Sequence, residues 1–283
     1  MDRRRENGGR RLRVVLAAIF LIALVIFVVA PLVGIVGASL STAIYWQFPP
    51  QALSLRWYRA FVGDPSLIDA TKVSLVAGLG VGILGTVVSF LMALCIGRSR
   101  ISRRFRGALN LMVLIPLLVP AVGLGIGIYY LYIAASVPIN VGTLILAQTI
   151  LVIPLITGLL SVGLSGIRPN VELAALNLGA SPALVLWRVT LPLMRPALVT
   201  AAILGFVRSF DDSSVALFVN SPTTTTLPVR LLTQLETVSG PLIAAGGSVL
   251  LIIAVGAAVL LDRTIGLSKA FGLRDLEARR GAR

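Results

Sequence analysis

Apolar residues run along this chain in long blocks rather than in short periodic patches. Charge-free runs at 14–55, 73–97, 107–167, 196–207 and 237–261 locate the candidate spans. The third is 61 residues long, enough for two bilayer crossings of about 20 residues each, joined by a tight turn at Pro138-Ile139-Asn140. The pattern predicts six transmembrane helices, at about 14–40, 70–97, 108–133, 139–163, 193–219 and 240–262.

Composition agrees: 57% of the 283 residues are hydrophobic and 13% charged, with a mean hydropathy of +0.97. So much apolar surface cannot be hidden in a soluble core, and the chain reads as a membrane protein. With the N-terminus in the cytoplasm, 20 of the 25 Lys and Arg residues fall in inside segments: the strips at 3–13, 98–106 and 263–283, together with Arg168, Arg188 and Arg195. Arg56, Arg59, Lys72 and Arg230 remain outside and Arg208 lies within a span, so charge asymmetry predicts both termini in the cytoplasm. The net charge of +14 lies in strips flanking apolar spans, where it sets topology and meets lipid headgroups; nucleic acid is not implied. The Arg-rich start resembles a secretion signal, but its apolar run is too long for a signal core and reads as an uncleaved first helix. The single cysteine, Cys95, and the lack of histidine imply no disulfide within the chain, no metal set and no cofactor.

The segment between helices 1 and 2 carries Trp46, Phe48, Pro49 and Pro50, followed by an amphipathic stretch at 53–62. Its Trp57, Tyr58 and Phe61 suit an outer interface, or a lid over the bundle. Pro116 and Pro120 in helix 3 and Pro154 in helix 4 remove backbone donors and bend their helices, as broken transporter helices do. Gly78, Gly80, Gly82 and Gly85 sit inside an apolar span with no following Lys, so they read as helix-packing positions rather than a nucleotide loop. Nothing in the chain supplies ATP chemistry.

The most specific pattern is Glu172-Leu173-Ala174-Ala175 followed by Gly179, Ser181-Pro182 and Leu191-Pro192. Asn170 is expected to cap a short helix with Glu172 in its first turn, Gly179 to end it in the left-handed conformation, and Ser181-Pro182 to start a second helix. This spacing resembles the cytoplasmic signature of ABC-importer permeases, although the acid stands one place earlier than the family's and Leu173 takes the position directly before Ala-Ala. The resemblance implies an all-α membrane protein of six transmembrane helices with the type I ABC-importer permease fold. It implies a basic N-terminus at 1–13, a permease domain at 14–262 with a coupling loop at about 164–192, and a cytoplasmic tail at 263–283. Glu172, Ala174, Ala175, Gly179, Ser181, Pro182, Leu191 and Pro192 would then form the element that docks on an ATPase.

Arg208, Asp211 and Asp212 fall within expected helix 5 at offsets of zero, three and four, and so are expected on one helical face. Charges at such depth are costly unless paired or facing water, which makes them a functional-site hypothesis. The stretch 206–219 with Thr226-Leu227-Pro228-Val229 resembles the fifth helix and outer loop of polyamine-type permeases within that family, where the acids would lie beside the path of a cationic substrate. Arg208 departs from a purely acidic face, and pairing of Arg208 with one acid stands as the structural alternative.

The expected function is that of a non-enzymatic permease subunit in the bacterial inner membrane. By resemblance its partners are two ATPase subunits, a second permease, an extracytoplasmic binding protein and membrane lipid, and its solute a polyamine or related amine. An iron chelate or an aminophosphonate remains an alternative solute, and a secondary transporter without an ATPase an alternative class. Reporters fused after Arg104, Arg168 and Arg279 are expected to read cytoplasmic and one near Ser221 external; an external reading at Arg279 would remove the six-span topology.

Overall fold

The computed structural model describes the backbone of residues 2–45, 49–98, 101–237 and 240–265; Trp46, Phe48, Arg100 and the expected tail beyond residue 265 lie outside the described residues. Eleven α-helices occur among them: α1 (Asp2–Ser39), α2 (Arg56–Gly63), α3 (Pro65–Gly97), α4 (Arg103–Leu118), α5 (Ala121–Ala134), α6 (Val141–Ser165), α7 (Pro169–Asn177), α8 (Pro182–Val185), α9 (Leu191–Phe210), α10 (Leu227–Thr237) and α11 (Pro241–Ile265), with a π turn (Leu186–Thr190) between α8 and α9. No sheet forms among the described residues; Ser41 and Leu53 make an isolated antiparallel bridge.

Five helices are long and apolar enough to cross a membrane, and α4 with α5 makes a sixth crossing if that bent pair is one span. The expected third helix is thus two helices, bent by 105°. Pro120 has no N–H to continue the ladder, and its ring drives Val119 into extended backbone at φ −87°, ψ 130°, as residues before proline prefer. The tight turn expected after it is present: Asn140 caps α6 by accepting from the Thr143 N–H at 3.1 Å, and Thr143 Oγ1 accepts from the Asn140 N–H.

The chain divides into two units. One comprises residues 1–64 and 234–249. In it the Tyr58 hydroxyl bridges Ser39 Oγ at 2.8 Å and Ser248 Oγ at 2.7 Å, so this aromatic residue, expected at an interface, ties its own unit together, and Phe61 is buried.

The other unit comprises 65–233 and 250–283, and its centre is α3 packed on α6 and α9. Val81, Phe90 and Ala93 of α3 meet Val152, Ile156 and Leu160 of α6 and Met194 and Ala201 of α9. The α3 glycines are packing positions, as expected. A β-carbon at Gly82 would lie 2.6 Å from the Ala202 carbonyl oxygen, and one at Gly205 would lie 3.1 Å from the Gly82 Cα, so the α3 and α9 backbones touch where both residues lack a side chain. Gly82→Val is expected to force them apart and to lower stability by about 1–3 kcal/mol, read as an earlier thermal midpoint in detergent. Gly158→Ala, where a β-carbon meets open space, serves as the neutral control; equal midpoints for the two variants would refute the close approach.

Candidate functional site

The 169–192 hairpin is built by local backbone chemistry. Pro169 occupies the first position of α7, and Arg168 precedes it in extended backbone without a side-chain cap. The helix therefore starts before the expected Asn170 cap, because proline is pre-organised for that first position and has no N–H to satisfy. At the other end Gly179 adopts φ +88°. The Ala180 N–H donates to the Ala175 carbonyl at 3.1 Å and the Gly179 N–H to the Leu176 carbonyl at 3.0 Å, the paired bonds of a Schellman cap. Ser181 Oγ accepts from the Leu184 N–H at 3.3 Å and Pro182 opens α8. The chain then widens into the π turn, where the Leu191 N–H donates to the Leu186 carbonyl. Pro192 explains that widening: it has no N–H for the Arg188 carbonyl and its ring would crowd it.

Glu172 does not point away from the bundle. Its Oε2 lies 2.9 Å from Arg98 Nε, and its Oε1 accepts from Thr190 Oγ1 at 2.8 Å. Arg98, the residue after α3, also donates through Nη2 to the Leu164 and Ile167 carbonyls at 3.1 and 2.9 Å. A cavity of about 390 Å³ opens beside this pair. Much of the hairpin's exposed surface is apolar: Val171, Leu173, Leu176, Leu184 and Trp187 are exposed and Leu178 is 89% exposed, beside exposed Asn170, Asn177 and Arg188. Sequence reasoning missed Arg98 as a site residue; it stood only as one charge in a basic strip, and no local spacing links it to Glu172.

The charges expected on one face of helix 5 are not on one face. α9 ends at Phe210, Asp211 is its C-cap, and the chain leaves the helix. Asp211 is exposed and Arg208 half-buried, whereas Asp212 is buried. Among the described residues Arg208 comes within ion-pair distance of neither acid, although its charge still acts on Asp212. The Asp212 carboxylate caps the next turn, accepting from the Val215 and Ala216 N–H groups at 3.2 Å each and from Gln148 Nε2 at 3.2 Å. Ser209 Oγ completes this buried set by donating to Gln148 Oε1 at 2.7 Å. The helix ends here because Asp212 offers the backbone an alternative acceptor, a habit of short acids that periodicity does not register.

Residues 85–264 match the family model described as binding-protein-dependent transport system inner membrane component. A spermidine/putrescine transport system permease protein of Haemophilus influenzae is 27% identical over 212 residues, 74% of this chain and 81% of that one. A putrescine transport system permease protein of Escherichia coli K12 is 30% identical, covering 70% and 72% of the two chains. A molybdenum transport system permease protein of Mycobacterium bovis is 30% identical over 256 residues, 84% and 89%. Among solved structures, a chain of a bacterial ABC transporter that imports alginate superposes with a TM-score of 0.69 at 16% identity, covering 94% of this chain and 99% of that one. A chain of an inward-facing methionine ABC transporter gives 0.60 at 18%, covering 76% and 99%. These structural likenesses carry the fold, and the sequence matches carry the family: the chain belongs to the binding-protein-dependent transport system inner membrane components, the multi-pass permease subunits of bacterial ABC importers.

Proposed function

We propose that this chain forms half of the membrane path of an importer that takes a polyamine or related small amine from an extracytoplasmic binding protein. A second permease would complete the path, membrane lipid would surround it, and two ATPase subunits would hydrolyse ATP outside this chain. The observation that carries the coupling role is the hairpin: a rigid, twice-capped corner with a largely apolar exposed surface around Leu173, Leu178 and Trp187 suits the groove of a partner protein. Glu172, Ala174, Ala175, Gly179, Ser181, Pro182, Leu191 and Pro192 would form it, within a loop at about 164–192 on the cytoplasmic side. Both termini would lie on that side, with the basic strip 1–13 and the tail 263–283 flanking the permease domain 14–262.

The amine solute is supported by the similarity to spermidine and putrescine permeases and by Asp211, exposed where α9 ends. Asp212 is the weaker path candidate, because its carboxylate is occupied as a buried cap. A second reading, an oxyanion such as molybdate, is favoured by the molybdenum permease relative and by Arg208. The two readings differ in the sign of the solute charge, so uptake of labelled putrescine and of molybdate by proteoliposomes holding the complete complex separates them.

For the amine reading, Asp211→Asn is expected to cut putrescine uptake while assembly with the partner permease persists. Asp212→Ala is expected to weaken assembly itself, by about 1–3 kcal/mol for each buried donor left without an acceptor, as measured by pull-down and thermal midpoint. Full putrescine uptake by Asp211→Asn would remove its path role. For the coupling role, Gly179→Val is expected to penalise the left-handed corner by roughly 1–2 kcal/mol and to give normally inserted complexes that lose the ATPase or hydrolyse ATP without transport. Unchanged transport in that variant would mean the hairpin couples nothing.

A further inference from the structure

On a hairpin whose exposed surface is largely apolar, the one acid is turned inward and fully engaged. Each Glu172 oxygen has a partner within this chain, Arg98 for Oε2 and Thr190 for Oε1. The pair is partly withdrawn from solvent, with Glu172 retaining 16% of its side-chain exposure and Arg98 25%. The Arg98 contact is an ion pair by proximity, and the hydrogen bond from Thr190 Oγ1 fixes the other carboxylate oxygen.

Four segments converge on that carboxylate. Arg98 follows α3 directly and holds the last carbonyls of α6 through Leu164 and Ile167. Thr190 is the last residue of the π turn and leads into α9. Glu172 belongs to the first turn of α7. The same three helices, α3, α6 and α9, form the core of this unit. An open groove of about 390 Å³ runs beside the ion pair, bordered by Leu94, Val185 and Leu186, and Leu94 and Leu186 pack against the core. Beside those apolar contacts, the polar tie joins α7 directly to the residue that ends α3.

We propose that the Arg98–Glu172–Thr190 clasp is the mechanical link that carries hairpin motion into α3, α6 and α9 together, with Arg98 as its positioning residue. This rests on the ATPase-docking role of the hairpin proposed above. Cutting the clasp from the Arg98 side, outside the docking hairpin, would let α7 shift alone.

The test uses the complete complex in a Cys95→Ser background, with spin labels at Asn170 in the first turn of α7 and Leu91 on α3, both exposed. Electron-resonance distances are compared between nucleotide-free and vanadate-trapped states, and retention of the ATPase is followed by co-purification. In the parent the separation is expected to be the same in both states, because the two move together. In Arg98→Gln and in Glu172→Gln, with ATPase retained, it is expected to change by about 2 Å or more. The double variant should show no more than either single one, because each removes the same link. Arg98→Lys, which keeps a cation for Glu172, should restore the parent behaviour, and it also serves if Arg98→Gln does not assemble. Parent-like distances in the Gln variants, or a double effect equal to the sum of the singles, would overturn the clasp. Loss of the ATPase from the Gln variants would overturn it too, by assigning the pair to docking, and would leave the docking reading standing; a parent hairpin that never retains an ATPase would instead remove that reading.

Discussion

Backbone groups in segments this apolar cannot rely on water, so every place where a helix stops or bends must supply its own hydrogen-bond partners. That constraint organises the whole second unit. At the end of α9 the freed N–H groups of Val215 and Ala216 go to Asp212. At the start of α10 the Leu227 N–H goes to Ser74 Oγ on α3 at 2.8 Å. At the end of α6 the carbonyls of Leu164 and Ile167 go to Arg98. Each irregular point is tied to α3 or α6, the two helices with the largest shared interface, so chain breaks and core packing are two sides of one solution.

The breaks also distribute the polar residues by task. Asp212, Gln148 and Ser209 are consumed in satisfying one another and the backbone, and what remains available near that end is Asp211 at the surface and Arg208 half-buried. At the opposite end of α9 an acid and a base are likewise consumed, in joining segments. A charged residue in a span is therefore no guide by itself to a solute path, since the same desolvation cost that marks it as unusual is met here by caps and ties.

Features set by single residues were legible in the sequence; those set by partners far along the chain were not. Gly179, Ser181 and Pro182 each dictate their own backbone, so the hairpin corner could be drawn residue by residue before any coordinates. The α3 glycines were legible as packing positions for the same reason, though not the partner that each one meets. Helix 3 could be expected to bend, but a proline pattern does not give 105°. Helix 5 was extended too far because periodicity treats Asp211 and Asp212 as faces of a continuing helix, whereas Asp212 competes for the backbone and ends it. The Asn170 cap lost to Pro169, whose fixed φ favours the first helical position more strongly. The partnership of Glu172 with Arg98 joins two distant stretches whose local patterns are unrelated, and no spacing rule reaches across them.

The π turn ahead of Pro192 sets a phase as well as a width. A turn closed by i→i+5 bonds takes in one residue more than an α-helical turn, and one residue corresponds to about 100° of rotation. Everything downstream is indexed to that extra residue, including the face on which Gly205 meets Gly82. The length of the 186–190 segment is thus fixed independently of its exposed side chains: Trp187 and Arg188 lie on the surface, but removing either would turn α9 on its axis and present a side chain to α3 where the backbones now touch.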